Sequence, residues 1–166
     1  DNTSLFMGGK FTSINGSSVN FIAKTNTSGA VIDTLNGGFT SGGGTQVKTI
    51  KYGASNRIYA GGVLPSSTAG VTLNNISYYN GSTWSSMGAG VSPGLSSGIV
   101  NTINIQNPTE VLVGGNFIED SNSNSMRFIT AYSSTYNTFA AIQDPEITPY
   151  GVNGYVYAVE TDGTYI

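Results

Sequence analysis

An all-β repeat array is the fold class this sequence predicts, and three observations carry the prediction. The first is a di-glycine after a short apolar run, at Gly8-Gly9, Gly61-Gly62 and Gly114-Gly115, with both gaps equal to 53 residues. The second is a set of apolar-led strands around Ile22, Ile76 and Ile129, at gaps of 54 and 53 residues. The third is that nothing sustains helical spacing over the ten or more residues a helix requires. A fixed period of ~50 residues marks units that cannot each bury an apolar face alone, so neighbours must stack.

The elements of one period follow from local pattern. Segments 47–52 and 100–105 alternate apolar and polar residues, with 156–160 as a looser third copy. Each leads through a turn-rich cluster (Gly53-Ala54-Ser55-Asn56, Asn107-Pro108-Thr109, Asp162-Gly163) toward a second strand, which reads as a hairpin. After Gly-Gly comes a polar stretch, the Ile-containing strand, and a tight turn, clearest as Asn80-Gly81. An outer strand follows near 31–35, 84–87 and 138–142. Four antiparallel strands in about 50 residues is the size of a propeller blade. The expectation is therefore β-propeller blades: tandem four-stranded antiparallel sheets, about three of a larger ring, with parts 1–45, 46–98, 99–153 and 154–166 forming one array. Tyr165-Ile166 would stand where Leu112-Val113 stand one period earlier. Both ends are then expected to carry a second strand and not to complete one another, so the chain reads as an excerpt of a longer one.

Composition excludes several function classes. Only 9% of the residues are charged and the net charge is −3, with polarity supplied by Ser, Thr and Asn. Six cations cannot neutralise many phosphates, which argues against a nucleic-acid partner. No apolar run approaches the ~18 residues of a membrane span. Neither Cys nor His occurs, so disulfides, thiolate or His-based catalytic groups and the usual zinc sites are excluded. A surface solvated by hydroxyl and amide groups suggests an extracellular, cell-surface or virion-surface setting.

The run Ile-Tyr-Ala-Gly-Gly, then Ile-Ser-Tyr-Tyr-Asn-Gly-Ser-Thr-Trp-Ser-Ser-Met-Gly-Ala-Gly, then Val-Asn-Thr-Ile, between Ile58 and Ile103, resembles the delta-sixty type of β-propeller repeat. It is also similar to kelch-like propellers and those of fungal cortical polarity markers. The first unit lacks the Trp, with Val31 or Ile32 there, and the third has Phe139 in its place. The resemblance implies a propeller scaffold of large secreted or surface-exposed proteins, and it carries no family-wide catalytic residues.

Candidate sites are sparse. The shared glycines, Gly8, Gly9, Gly61, Gly62, Gly114 and Gly115, read as structural, with Phe11, Leu64 and Phe117 as packing residues two positions beyond. Asp120, Asn122 and Asn124 match the first ligand positions of a calcium loop, but Ser125 stands where Gly is needed and Ala131 where the bidentate Glu belongs. No metal or other cofactor is therefore expected. Asp144 and Glu146 are a carboxylate pair flanked by Pro145 and Pro149, which reads as a crossover loop rather than a hydrolytic pair. Alternation would bury roughly half of each strand's aromatic residues, so most read as packing between units, with Tyr79, Trp84, Tyr136 and Tyr150 as the ones that could stack on a sugar or a partner protein. Five Asn-x-Ser/Thr sequons, at Asn2, Asn15, Asn26, Asn75 and Asn80, are no more than this composition gives by chance.

The function expected is a non-enzymatic interaction or structural module, working through loops 12–20, 65–73 and 119–127 and the crossovers 37–46, 90–98 and 143–153. A glycan-binding, lectin-like adhesin is the alternative, and a glycoside-active hydrolase fragment the third reading. The partner is a protein or a glycan, with further blades needed to close the ring.

Overall fold

The computed structural model describes residues 3–88, 91–92, 98–120, 123–142 and 151–162. The strands are β1 (Ser4–Gly8), β2 (Ser13–Ile14), β3 (Ser17–Ser18), β4 (Ile22–Asn26), β5 (Val31–Asp33), β6 (Gln46–Tyr52), β7 (Ile58–Val63), β8 (Ile76–Tyr79), β9 (Trp84–Ser86), β10 (Val91–Ser92), β11 (Ile99–Asn107), β12 (Glu110–Asn116), β13 (Glu119–Asp120), β14 (Ile129–Ser133) and β15 (Thr138–Ala141). No α-helix occurs among the described residues.

Three antiparallel sheets repeat along the chain. The second and third have four strands, in the orders β6-β7-β8-β9 and β11-β12-β14-β15; the first has three, β1-β4-β5. Their registers superimpose: Met7 pairs with Ala23, Ala60 with Ser77, and Val113 with Thr130. Segment 156–160 follows the third sheet without joining a ladder among the described residues, and the second strand expected beside it, at Tyr165-Ile166, lies outside them. Two small pairings were not foreseen. Asn15 and Gly16, both at positive φ, turn the β2-β3 hairpin, and β10 of the second crossover pairs with β13.

Alternation assigns the two faces of each sheet. Ile58, Ala60, Tyr79 and Trp84 of the second sheet pack with Ile22, Leu35, Phe39 and Val47 in one core. Tyr59, Ile76 and Met87 of the same sheet pack with Val100, Ile103, Val111, Val113 and Phe139 in another. The cores are thus the joints between successive sheets, where each fully buried aliphatic side chain contributes about 1.5–3 kcal/mol. Val19, Leu73 and Met126, at gaps of 54 and 53 residues, are buried anchors inside the loops that follow each di-glycine.

The two glycines of each pair have different tasks. A Cβ on Gly8, Gly61 or Gly114 would drive into Val47, Val100 or Val156, the valine that opens the next period. A Cβ on Gly62 or Gly115 would strike the carbonyl oxygen of Gln46 or Ile99, on the inner strand of its own sheet. The ladder is bulged at that point, the register skipping between Val47 and Thr49 and between Val100 and Thr102. Gly9, in the three-stranded sheet, meets only the Phe11 ring, at 3.0 Å.

A backbone latch recurs beside each pair. The N–H groups of Gly9, Gly62 and Gly115 donate to the carbonyls of Phe21, Asn75 and Phe128 at 2.9, 3.1 and 2.9 Å. Those residues in turn donate to the carbonyls of Phe11, Leu64 and Phe117 at 3.0, 2.9 and 2.7 Å. All three sit at positive φ, 67°, 74° and 70°, a conformation costly for phenylalanine that the paired hydrogen bonds hold in place.

Candidate functional site

The bulges that accommodate the second glycines also place one extra residue on each inner strand, Lys48 on β6 and Asn101 on β11. Bulges re-aim side chains, and these two meet across neighbouring sheets. Lys48 Nζ donates to Asn101 Oδ1 at 3.1 Å, and Asn101 Nδ2 donates to the Val156 carbonyl at 3.0 Å. A second polar rung lies three residues further along. Asn104, only 3% exposed, donates its amide to the Val159 carbonyl at 3.4 Å and to a Glu160 carboxylate oxygen. Lys51 Nζ stands 4.0 Å from the other oxygen of that carboxylate. Thr102 Oγ1 accepts the Val159 N–H at 3.3 Å.

The result is a polar column along the inner strands, built from Lys48, Lys51, Asn101, Asn104 and Glu160. Glu160 is held below the usual carboxylate range, first by the Asn104 amide and then by the Thr161 N–H, which outweigh desolvation, with the Lys51 charge the smallest contribution. Its carboxylate is therefore ionised at neutral pH. The column offers ammonium and amide donors beside one carboxylate, a set suited to gripping polar groups. It lacks an activated nucleophile paired with a base, as nucleophilic catalysis would require. Sequence reading assigned function to rim loops and passed over these residues. The available signal was the placement of Lys48 and Lys51, two of six cations, on one strand whose counterpart carries Asn101 and Asn104.

Among the described residues, those singled out from sequence do not converge on one site. Trp84 and Tyr79 are 1% and 6% exposed, their rings 5.3 Å apart in the core between the first two sheets. The indole N–H donates to the Leu35 carbonyl at 2.8 Å, and Phe39 lies 4.6 Å from the indole. Neither ring has a face open to a ligand. Tyr136 is 79% exposed in the turn between β14 and β15. Tyr150, Asn122, Asp144, Glu146 and Tyr165-Ile166 lie outside the described residues.

Asp120 is buried, and its two carboxylate oxygens accept the Asn124 N–H at 2.9 Å and the Asn124 side-chain amide at 2.8 Å. The carboxylate thus closes a tight loop, and no group of metal-ligating acids occurs among the described residues. A further polar cluster lies between the second and third sheets, where the Arg57 guanidinium sits 4.8 Å over the Tyr78 ring. There Tyr132 is pushed up to about 12, mainly by burial and then by the neighbouring Tyr78 and Tyr59, so it stays protonated across the neutral range.

No family model, no curated protein and no solved structure matches the chain.

Proposed function

We propose that the three sheets are blades of a β-propeller of the delta-sixty type, and that the chain is a non-enzymatic interaction or structural module of a secreted, cell-surface or virion-surface assembly. One observation carries the reading. The joint made by Val47 on Gly8 recurs as Val100 on Gly61 and as Val156 on Gly114, so successive sheets stack face to face by one rule. A repeated joint of that kind builds a rigid scaffold on which exposed loop tips and the inner polar column are free to vary. The charge-poor surface supports the extracellular setting, since its solubility rests on hydroxyl and amide groups.

The scaffold reading predicts that replacing the tip at Asn15 and Gly16, or the exposed Ser123 and Ser125, by Gly-Ser sequences leaves the melting temperature within about 2 °C. Purified chain incubated with chromogenic glycosides and esters should release no more dye than buffer. Turnover that disappears in Glu160→Gln would overturn the non-enzymatic reading, and loss of fold on tip replacement would overturn the scaffold.

A further inference from the structure

The sequence has four Asn-Gly pairs, at Asn15, Asn36, Asn80 and Asn153, and all four asparagines are exposed. Only one has its side-chain carbonyl held. In the turn between β8 and β9, Asn80 Oδ1 accepts the Ser82 N–H at 3.0 Å and the Thr83 N–H at 2.9 Å. Asn80 Nδ2 reaches Thr83 Oγ1 at 3.4 Å, while the Gly81 N–H makes no hydrogen bond among the described residues. Asn15 is tied by its other end, Nδ2 donating to the Gly29 carbonyl at 2.9 Å, and the side chains of Asn36 and Asn153 make no hydrogen bond among the described residues. Asn26 Oδ1 is also held, by the N–H groups of Ser28 and Ala30 and the Ser28 hydroxyl, but there a threonine follows in place of glycine.

The geometry points to Asn80 as a self-modifying site, at which the backbone nitrogen of Gly81 attacks the Asn80 side-chain carbonyl and the amide leaves as ammonia. The attack puts negative charge on Oδ1, where two backbone N–H groups already point, an arrangement of the oxyanion-hole kind. Glycine supplies the nucleophile because no Cβ crowds its nitrogen and because its φ of 98° carries no steric cost. The bond from Gly81 N to Asn80 Cγ forms as Cγ–Nδ2 breaks; water takes the proton from the Gly81 nitrogen and gives one to the departing amide. Water then opens the cyclic imide at either carbonyl, leaving aspartate or isoaspartate at position 80. The net change is asparagine plus water to acid plus ammonia, so no other reactant is needed. Both products add a negative charge to a chain of net charge −3. Isoaspartate also routes the backbone through Cγ, lengthening a turn whose ends, Tyr79 and Trp84, pair directly and pack in the joint between the first two sheets. The reaction is thus a timer on that joint, which the isoaspartate product loosens.

The test keeps the purified chain folded in warm neutral buffer and reads each site over days by peptide mapping with mass spectrometry. Asn80 should convert about tenfold faster than Asn15, Asn36 or Asn153, donors at an exposed turn being worth less than in a dry site. Asn26 should stay intact, because the Thr27 side chain crowds the attacking nitrogen. In guanidinium chloride, where the turn is lost, the rates at the four Asn-Gly pairs should converge. A folded-state rate at Asn80 no higher than at the other three would overturn the proposal. So would a lead for Asn80 that persists in the unfolded chain, since it would then belong to the neighbouring residues and not to the turn. The separated isoaspartate fraction should unfold at a lower urea midpoint than the unreacted chain, and an unchanged midpoint would overturn the timer. The site needs only this turn, so its failure leaves the blade reading untouched.

Discussion

The first and second sheets carry the same motif and meet opposite fates. Ile58 and Ala60 of the second sheet are 3% and 0% exposed, while Leu5 and Met7, at the same positions one period earlier, are 51% and 39% exposed. Nothing in the four residues explains the difference, since all are apolar and each pair alternates on one face of its strand. The difference lies in the neighbour, because among the described residues the second sheet has another packed on each face and the first on one. Local pattern therefore sets which face of a strand is apolar, and stacking decides whether that face is buried. A repeat array is stable through its joints as much as through its units.

The largest break in this comparison is expected at the joint between those two sheets. Trp84 fills it, holding the Leu35 carbonyl across the interface and touching Phe39 and Tyr79. Trp84→Ala should cost about 3–5 kcal/mol, read as a shift in the urea midpoint followed by circular dichroism. Trp84→Phe, which keeps much of the volume but removes the donor, should cost about 1–2 kcal/mol. The joint between the second and third sheets shows why the smaller loss is tolerable. Phe139 takes the corresponding seat, 5.2 Å from Tyr132 as Trp84 is 5.3 Å from Tyr79. The cross-joint hydrogen bond is made instead by the Asn137 side chain, which accepts the Gly88 N–H at 3.1 Å. A midpoint for Trp84→Ala equal to wild type would mean that the two sheets do not depend on that joint.

The di-glycines sharpen the same contrast. Gly62→Ala pushes a methyl group into a backbone carbonyl that cannot rotate away, and about 2–4 kcal/mol of destabilisation is expected. Gly9→Ala has only an aromatic ring beside it, so its effect should stay within about 1 kcal/mol. Chemical denaturation of the two variants side by side checks this. Equal losses would show that the glycine is needed for its own backbone conformation and not for the approach of an inner strand.

The legibility of these features in sequence divides along physical lines. The period and the strand order within the three larger sheets were readable, because apolar alternation and turn residues are local signals that stacking does not alter. Alternation implied that most of the outer aromatics pack between sheets, but not that Trp84 and Tyr79 are buried while Tyr136 is exposed. A large aromatic residue next to a turn looks the same in sequence whether a second sheet covers it or a ligand does. The polar column escaped for a different reason. Lys48 and Asn101 face each other only because each sits on a bulge, and the bulge arises where a glycine on another strand lets two backbones approach. The latch residues Phe21 and Phe128 were also hidden, since phenylalanine carries no local preference for the positive φ that the fold imposes. Segment 156–160, expected as a third inner strand, joins no ladder among the described residues, and its expected partner at Tyr165-Ile166 lies outside them.

The smallest expected effect concerns one position occupied differently in the three sheets, by Ala23, Ser77 and Thr130. Thr130 Oγ1 donates to the Ala140 carbonyl at 2.7 Å, and Ala23 brings no hydroxyl. Ser77 is fully buried, and its Oγ has no hydrogen-bond partner among the described residues. A buried hydroxyl without a partner forfeits its hydration and receives nothing for it. Ser77→Ala restores the residue type that the first sheet already uses and should stabilise the chain by about 1 kcal/mol, whereas Thr130→Ala should destabilise it by a similar amount. Opposite signs from two hydroxyl deletions at equivalent positions would establish that what matters is the carbonyl within reach, a property of the neighbouring strand. Matching signs would mean that the three sheets are less alike at this position than their registers indicate.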